Sequence, residues 1–264
     1  MNTAAHSDTR IAIVTGAAGG IGWATAQRLA ADGCQLAILD LDGDAATQRA
    51  QELGPGHFGT GCDVASESSV QAAIAKVMTR FGRVDTLVNN AGIGDQSTGT
   101  IEQTAEGFDR VLSVHLRGTF LVSRDVGRIM LDQGAGAIVN LSSIAGLAGI
   151  PGRNAYAAAK AGISAMTRSM ACEWARRGVR VNAVAPGYVR TVLVEKLEHD
   201  QALDTEAIAA RTPMGRLARP EEIAQAIQFL VSEQSSFITG TTLNVDGGWL
   251  ALGAPESALE AGAH

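Results

Sequence analysis

The sequence lacks any apolar run long enough to cross a membrane, since none reaches the roughly 20 consecutive residues that a spanning helix needs. It also lacks an excess of positive charge, because 21 lysines and arginines stand against 27 aspartates and glutamates and leave a formal net charge of -6. We therefore expect neither a membrane nor a nucleic acid as a partner. The N-terminus also lacks the apolar stretch of a secretory signal.

Cysteine is scarce, and the three cysteines are odd in number, widely spaced and set among apolar neighbours. This pattern argues against a disulfide framework, and it contains no paired spacing of cysteine or histidine that would bind a metal. We interpret Cys34, Cys62 and Cys172 as reduced core residues. Reduced cysteines are typical of cytoplasmic proteins, so we expect that location and no metal.

Short apolar runs alternate with longer segments of helical period almost to the end of the sequence. The predicted strands are Arg10–Thr15, Gln35–Asp40, Phe58–Cys62, Thr86–Asn89, Ala137–Leu141, Arg180–Ala185 and Thr242–Val245. The predicted helices cover residues 20–32, 43–53, 67–81, 104–132, 155–177 and 220–232. Several strands are apolar throughout, as expected for a parallel sheet that is covered on both faces. The alternation predicts an α/β fold, a doubly wound parallel sheet of about seven strands with helices on both faces.

The first predicted strand runs directly into a glycine-rich turn, TGAAGGIG at residues 15–22, which opens the first predicted helix. Glycines permit a tight turn and let backbone N–H groups approach a pyrophosphate, whose charge the helix N-terminus stabilises. A glycine cluster alone is also compatible with an ordinary strand-to-helix turn. Its place between the first strand and the first helix favours a dinucleotide site.

An acidic residue ends the second predicted strand, since Asp40 lies 18 residues beyond Gly22. This is close to the spacing of a carboxylate that hydrogen-bonds the ribose 2′-hydroxyl of NAD. The same carboxylate would repel the 2′-phosphate of NADP, and no Arg or Lys lies in the glycine turn or just after Asp40. We therefore predict NAD as the cofactor. Asp42 is the competing acid, although it is also suited to cap the helix that begins at Gly43.

Tyr156 and Lys160 lie four residues apart on a predicted helix, so their side chains share one face and are one turn from each other. A tyrosine has a pKa near 10, so it needs help to act as a base at neutral pH. A lysine ammonium within a few ångströms favours the phenolate, as does the positive ring of an oxidised nicotinamide. The chain has only two tyrosines and three lysines, which makes a chance pair at this spacing rare.

Further motifs resemble those of the short-chain dehydrogenase/reductase family, and the match runs from about Arg10 to Trp249. The glycine spacing is similar to that family's Thr-Gly-x-x-x-Gly-x-Gly. The other matching segments, in family order, are Cys62-Asp63-Val64, Asn89-Asn90-Ala91-Gly92, Ser142-Ser143, Tyr156-Ala-Ala-Ala-Lys160, Pro186-Gly187 and Asp246-Gly247-Gly248. Each motif is a moderate signal, and their occurrence together at family spacing indicates the family.

The resemblance implies roles for the residues at matching positions. Ser143, 13 residues before Tyr156, would donate a hydrogen bond to the substrate oxygen, whereas the spacing of Ser142 is off by one. Val189 and Thr191 would contact the nicotinamide carboxamide. The implied cofactor-binding residues are Gly16, Gly20, Ile21, Gly22, Asp40, Leu41, Asp63, Val64, Asn90, Ala91, Gly92, Tyr156, Lys160, Pro186, Gly187, Val189 and Thr191. The candidate substrate-binding residues are Ser143, Ala145, Arg153, Tyr156, Tyr188, Val192 and Leu193.

His115 departs from the family pattern, which usually has an asparagine in this Val-x-Leu-x-Gly-x-Phe context. In the family that asparagine holds a water in a proton relay from the lysine. Imidazole also holds a water and titrates near neutral pH, so one interpretation makes His115 a catalytic relay residue. The other makes it a buried histidine satisfied by backbone groups, with the relay weakened or rerouted. Arg153 and Tyr188 are similarly open between selecting the substrate and packing.

No composition break, repeat or linker divides the chain, so we expect a single Rossmann-type domain over residues 1–264. Residues 10–187 would form its cofactor-binding and catalytic core. Residues 188–219 form a long insertion before the last helix, and insertions of that length often bind substrate. Residues 251–264, rich in alanine and glycine, are expected to form a loose tail.

The sequence thus predicts an NAD(H)-dependent oxidoreductase that interconverts a secondary alcohol and a ketone, with Tyr156 as general acid/base. Four residues of the insertion would offer an apolar wall to a neutral or partly apolar small molecule, namely Val192, Leu193, Val194 and Leu197. The alternatives are an NADPH-dependent 3-ketoacyl reductase, an epimerase or dehydratase, and a non-catalytic NAD-binding scaffold or sensor. The resemblance also implies a homo-oligomer, usually a tetramer.

Overall fold

The computed structural model describes residues 9–94 and 98–259, in which seven parallel strands form one sheet. The strands are β1 (Ile11–Thr15), β2 (Gln35–Asp40), β3 (Phe58–Gly61), β4 (Thr86–Asn89), β5 (Gly136–Leu141), β6 (Val179–Pro186) and β7 (Thr242–Val245). Their order across the sheet is β3-β2-β1-β4-β5-β6-β7, and every neighbouring pair is parallel. The predicted doubly wound sheet is therefore confirmed, and each predicted strand begins and ends within one residue of the observed one.

Helices connect the strands in the described part of the chain. They are α1 (Gly20–Ala31), α2 (Gly43–Leu53), α3 (Glu67–Phe81), α4 (Ala105–Leu112), α5 (Gly118–Gln133), α6 (Asn154–Trp174), α7 (Val192–His199), α8 (Thr205–Arg211) and α9 (Pro220–Val231). Polar residues at several helix starts accept a hydrogen bond from a backbone N–H of the first turn, as Ser66 does in α3 and Thr104 in α4. These caps satisfy amides that have no partner inside the helix, which is why the chain turns into a helix at these points.

Two apolar layers cover the two faces of the sheet. Along β1, Ala12 and Val14 belong to one layer and Ile13 to the other, as the two-residue period of a strand requires. The first layer includes side chains of α1, α2 and α9, and the second includes side chains of α3, α5 and α6. The chain runs from β1 through β2 to β3 on one side of β1, and then crosses to β4 on the other side. This reversal opens a crevice at the carboxyl ends of the strands, where ligands bind in such sheets.

The helix predicted over residues 104–132 is observed from Ala105 to Gln133, but it is not α-helical throughout. α4 ends at Leu112, and a π-helical segment, Ser113–Arg117, joins it to α5. His115 is the central residue of that segment. A π turn shifts the following side chains around the helix but interrupts the apolar pattern very little, so the sequence period does not reveal it. Such turns occur frequently at functional sites.

The predicted insertion at residues 188–219 contains two helices that the sequence pattern did not predict, α7 and α8. Their first turns are capped by Thr191 and Asp204. Both helices are too short to display a clear period, at eight and seven residues. Val189 and Ala218 form an isolated parallel bridge, so the two ends of the insertion lie side by side.

The prediction that all three cysteines are core residues is wrong for one of them. Cys34 and Cys62 are buried and Cys172 is exposed, and all three are free thiols. Burial raises the pKa of the Cys62 thiol to about 11. Cys172 follows Ala171, the last buried residue of α6, and one residue turns a helix by about 100°. That rotation places the thiol on the open face of α6.

Some predictions concern residues 1–8, 95–97 and 260–264, which lie outside the described residues. The single domain over 1–264 therefore stays a prediction. Within the predicted tail, residues Glu256–Leu259 form a short 3-10 turn, and its last five residues are outside the described range. Across the described part of the chain, no helix is both long and apolar enough to cross a bilayer.

Candidate active site

A cleft of about 840 Å³ lies at the carboxyl ends of the strands. It is lined by every residue that the sequence predicted for cofactor, substrate or catalysis, with the exception of Gly22. Its walls consist of the last residues of β2, β5 and β6, of residues that follow β1, β3 and β4, and of residues of the insertion. The sheet thus brings together side chains that are far apart in the sequence. The cleft also includes residues that sequence reasoning missed, among them Ile93, Ile150 and Leu203.

The glycine turn has a geometry that only glycine satisfies. Gly16 has φ +63°, and a Cβ there would lie 2.7 Å from the Cα of Ala91. A Cβ on Gly22 would lie 2.3 Å from the carbonyl oxygen of Gly16. α1 begins at Gly20 with no side-chain cap and no acidic residue in its first turn. The positive end of α1 and its unpaired amides therefore face the turn, which fits the pyrophosphate of a dinucleotide.

Asp40 is held at the edge of this turn. Its carboxylate accepts hydrogen bonds from the backbone N–H of Ala18 at 2.9 Å and of Asp42 at 3.3 Å. The competing acid, Asp42, caps α2 by accepting from Asp44 N–H and Ala45 N–H. Asp42 is thus committed to the helix, and Asp40 is the acid that lines the cleft.

Arg49 reaches the glycine turn from α2, which sequence reasoning did not foresee. Its Nε donates to the carbonyl oxygen of Ala18 at 3.0 Å, and its guanidinium lies 4.7 Å from the ring centroid of Trp23. Arg49 also pairs with Glu52, and this hydrogen bond lowers the pKa of that carboxyl. Only the folded helix brings Arg49 to the turn, so the linear sequence carries no signal for the contact.

The end of β4 is tied to the glycine turn by hydrogen bonds. The Asn90 side chain donates to the carbonyl oxygens of Thr15 at 3.0 Å and Gly16 at 2.9 Å. The Thr15 hydroxyl accepts from the backbone N–H groups of Asn90 and Ala91. These hydrogen bonds fix the spacing between the glycine turn and the end of β4, where Ala91 and Gly92 form the floor of the cleft.

Lys160 is a buried cation beside Tyr156. Its side chain is 4% exposed, and Nζ lies 5.3 Å from the ring centroid of Tyr156. Nζ also donates to the carbonyl oxygen of Leu141 at 2.6 Å. Burial disfavours the ammonium and lowers the pKa of Lys160 to about 7. The helical spacing of Tyr156 and Lys160 thus places a group that titrates near neutral pH against the phenol.

The two serines after β5 have different partners. The Ser142 hydroxyl is engaged with α6, through the carbonyl oxygen of Lys160 at 3.0 Å and the Ser164 hydroxyl at 2.7 Å. The Ser143 oxygen accepts from Ala145 N–H at 3.2 Å, which leaves its hydroxyl hydrogen available to a ligand. Ser142 is therefore bound to the protein, whereas the role of Ser143 toward a substrate stays a prediction.

His115 is 3% exposed, and its ring stands at 89° to the Tyr156 ring, with the centroids 5.2 Å apart. Nε2 contacts the backbone of Ile93, whose N–H and carbonyl oxygen lie 3.1 and 2.9 Å away. Nδ1 has no hydrogen-bond partner among the described residues. Burial, together with the charge of Lys160, lowers the pKa of His115 to about 3. A Cβ on Gly92 would lie 2.4 Å from the imidazole, so His115 also requires the glycine there.

We expect His115→Asn to be active with an altered pH profile of the rate, if His115 takes part in proton transfer. We also expect His115→Asn to lose less stability than the wild type as the pH falls. The reason is that the histidine of the unfolded chain takes up a proton with a pKa of 6.5, whereas the pKa of the buried His115 is about 3. In the wild type that contribution is fully present above 6.5 and is lost as the pH falls toward 3, by a few kcal/mol in all. Urea unfolding from neutral to acid pH measures the stability difference. An unchanged rate and pH profile would remove His115 from the catalytic residues.

The insertion and the start of α6 form the other end of the cleft. The Arg153 guanidinium lies 5.9 Å from the ring centroid of Tyr156. Tyr188 packs against Trp249, with the ring centroids 5.2 Å apart, so its ring is part of the packing as well as of the cleft wall. Thr191 uses its hydroxyl oxygen to accept from Val194 N–H at the start of α7. Its hydroxyl hydrogen remains available to a ligand.

Comparisons with known proteins show similarity along most of the chain. The family model described as "Enoyl-(Acyl carrier protein) reductase" matches residues 16–250. A short-chain type dehydrogenase/reductase of Sinorhizobium fredii is 47% identical over 252 residues, which cover 96% of this chain but 46% of that protein. This chain thus spans about half the length of that relative. The cis-4-hydroxycyclohexanecarboxylate dehydrogenase of Sinomonas cyclohexanicum is 44% identical over 92% of this chain and 97% of its own.

The solved structure of a levodione reductase resembles this chain with a TM-score of 0.87. It is 37% identical, and the match covers 92% of this chain and 98% of that one. The matched region of the family model includes the glycine turn, the Tyr156–Lys160 pair and the insertion. Fold and sequence similarity therefore extend over the whole cleft.

Proposed function

Because this chain belongs to the short-chain dehydrogenase/reductase family, we propose that it interconverts a secondary alcohol and a ketone, with NAD(H) as cofactor and Tyr156 as the general acid/base. One observation carries the proposal: Ser143, Tyr156 and Lys160 line the same cleft as the glycine turn. The family uses a nicotinamide dinucleotide, and the relatives compared above are named as dehydrogenases and a reductase.

Proton transfer is carried out by the protein's own side chains. In the oxidative direction the substrate hydroxyl gives its proton to the Tyr156 oxygen as the carbon–oxygen bond becomes a carbonyl, and in the reductive direction Tyr156 returns it. Ser143 donates a hydrogen bond to the same substrate oxygen and stabilises its developing charge. The nicotinamide ring, when bound, accepts hydride from the carbinol carbon or returns it to the carbonyl carbon.

Lys160 makes Tyr156 a usable base. Its ammonium nitrogen lies 5.3 Å from the centroid of the Tyr156 ring, and its charge favours the phenolate by electrostatic attraction. Because the pKa of Lys160 is lowered to about 7, its Nζ also gains and loses a proton in the working range. We assign to Lys160 the passage of the Tyr156 proton toward solvent. Because the pKa of His115 is lowered to about 3, His115 would hold a water of this relay rather than take up the proton itself.

Other residues would hold the cofactor. The amides of the glycine turn, with Gly16, Gly20, Ile21 and Gly22, suit the pyrophosphate. Asp40 suits the ribose hydroxyls of the adenosine half, and Asp63 with Val64, after β3, suits the adenine. At the nicotinamide end, the backbone of Pro186, Gly187 and Val189 and the hydroxyl of Thr191 suit the carboxamide. The floor between the two halves consists of Asn90, Ala91 and Gly92, and Leu41 lies beside the adenosine.

We expect a higher kcat/KM with NAD than with NADP, because the Asp40 carboxylate repels a 2′-phosphate. Asp40→Asn keeps the acceptor oxygen but removes the charge, so it should lower the NAD-to-NADP ratio of kcat/KM by about tenfold or more. Near-ultraviolet absorbance of the reduced cofactor, with a panel of secondary alcohols, gives the ratio. Asp42→Asn is the matched control, since Asp42 is exposed and caps α2, and its ratio should stay at the wild-type value.

Wild-type turnover with NADP alone would overturn the NAD proposal, and Arg49 would then be the residue beside the 2′-phosphate. Turnover confined to NADPH and 3-ketoacyl thioesters would favour the 3-ketoacyl reductase instead. Tight NAD binding with no turnover of any alcohol or ketone would favour a non-catalytic scaffold or sensor.

We also propose that the enzyme is a cytoplasmic homotetramer. Exposed apolar side chains on α5, after α9 and on β7 support an assembly, among them Phe120, Phe237 and Leu243. The family resemblance places α5, α6 and β7 at such interfaces. A monomeric molar mass in light scattering would contradict the tetramer.

A further inference from the structure

We propose that the cleft selects hydroxy and oxo compounds that carry a carboxylate on an apolar body, and that Arg153 binds the carboxylate. This inference rests on the proposed function, because it names the substrate class of the same site. It narrows the small-molecule substrate from any secondary alcohol or ketone to a monoanionic one.

Arg153 is a cation that has no acidic partner among residues 9–94 and 98–259. It directly precedes α6, is partly buried and lines the cleft, and no carboxylate of the described residues forms an ion pair with it. Other arginines near the cleft are paired, as Arg190 is with Glu198 and Arg49 with Glu52. A guanidinium that lines a cleft without a partner keeps its planar set of donors free for a ligand, and its geometry matches a carboxylate.

The charges within the cleft are separated along its length. The carboxylates among its described lining residues are Asp40 and Asp63. Asp40 ends β2 and Asp63 follows β3, on one side of the sheet. Arg153 and Lys160 lie beyond β5 on the other side. α6 begins next to Arg153 with no acidic residue in its first turn, so the positive end of its dipole adds to the field. An anionic substrate therefore meets attraction at the end where Tyr156 lies and repulsion at the other.

The distance between Arg153 and Tyr156 limits the spacing between the carboxylate of the substrate and its reacting carbon. The guanidinium of Arg153 lies 5.9 Å from the centroid of the Tyr156 ring. A substrate whose carboxylate binds Arg153 therefore has room for only a few atoms between that carboxylate and the carbon that reacts. Arg153 is the accessible cation at this end of the cleft, because Lys160 is only 4% exposed. A monoanionic carboxylate fits one guanidinium better than a dianionic phosphate does.

The remaining wall is apolar. Val192 and Leu193, at the start of α7, line the cleft and are 79% and 59% exposed. Ile150 and Leu197 extend the same wall. An apolar substrate body would remove these side chains from water, which favours binding. The cleft thus offers one anion-binding group beside the acid/base and an apolar surface for the rest of the molecule.

The test compares an oxo acid with its neutral amide, for example 5-oxohexanoate and 5-oxohexanamide, in cofactor-dependent turnover. The wild type should prefer the acid, and Arg153→Gln should lower the acid-to-amide ratio of kcat/KM by about 10- to 100-fold, the size of a lost charge-assisted hydrogen bond. Arg168→Gln removes the same charge from an exposed site on α6 and should leave the ratio unchanged. An equal fall for acid and amide in Arg153→Gln would overturn the inference, because Arg153 would then act only on Tyr156.

A binding measurement separates this inference from the proposed function. Calorimetry of the same acid and amide with the NAD-loaded wild type and with NAD-loaded Arg153→Gln proceeds without turnover, because the oxidised cofactor cannot reduce a ketone. Tighter binding of the acid that is lost in Arg153→Gln supports the carboxylate site even if no ketone is reduced. Equal affinity of acid and amide for the wild type overturns it, whatever the enzyme turns over.

Discussion

Tyr156→Phe will lower kcat by about a thousandfold, within the range that a general acid/base contributes. The substitution removes the oxygen that accepts and returns the substrate proton. The ring itself remains, so its contacts with the imidazole of His115 and the guanidinium of Arg153 persist. We therefore expect the affinity for NADH, measured by fluorescence titration, to stay within about threefold of the wild-type value.

Tyr188→Phe is the matched control, because the chain has only two tyrosines and both line the cleft. It should cost less than about tenfold in kcat, since the Tyr188 ring keeps its packing on Trp249. Comparable losses in the two variants would show that the cleft needs phenol groups for binding rather than Tyr156 for proton transfer. Full activity of Tyr156→Phe would remove Tyr156 from the mechanism.

Lys160→Met has the second largest expected effect, about a hundredfold loss of kcat, because the positive charge that favours the Tyr156 phenolate disappears. The variant should also respond differently to pH in its stability. The pKa of Lys160 is lowered from 10.5 to about 7 in the folded state, so between these values the unfolded chain holds a proton that the folded chain lacks. The wild type therefore gains stability as the pH rises from about 7 to 10.5, and its burial penalty is fully present below 7.

The measurement is urea unfolding of both proteins at about pH 6 and at about pH 9.5. The free energy of unfolding of the wild type should increase relative to that of Lys160→Met by a few kcal/mol between the two pH values. Other titrating groups, such as the Cys62 thiol, are present in both proteins and cancel in the difference. Lys196→Met, which alters an exposed lysine of α7, should follow the wild-type pH dependence. Parallel pH dependence of the wild type and Lys160→Met would contradict a buried lysine that titrates near neutral pH.

Much of the fold followed from local patterns in the sequence. The apolar strands, such as Ile11–Thr15, and the polar helix starts, such as Asp42, depend on backbone preferences and capping within a few residues. The four-residue spacing of Tyr156 and Lys160 places both side chains on one helix face, independently of any tertiary contact. The glycine turn was predictable for the same reason, because steric limits on φ act at single residues.

Apart from the short helices α7 and α8, the parts that sequence reasoning missed carry no signal in the residues around them. The π segment around His115 leaves the apolar period nearly intact, so no local signal marks it. Arg49 meets Ala18 across 31 positions, and the side of α6 that exposes Cys172 is decided by what packs on the other side. None of these contacts is encoded in the neighbourhood of the residue concerned.

By itself, the sequence determined the seven strands, most of the longer helices, their order and the residues at the strand ends, because those preferences are local to each segment. Only the tertiary structure decided which side chains at those ends are buried and which charged groups are paired. Burial of Lys160 and His115 lowers their pKa values to about 7 and about 3. The tertiary structure also left Arg153 in the cleft without an acidic partner among the described residues. Desolvation and ion pairing depend on the density of atoms and charges around a group, and distant parts of the chain supply both.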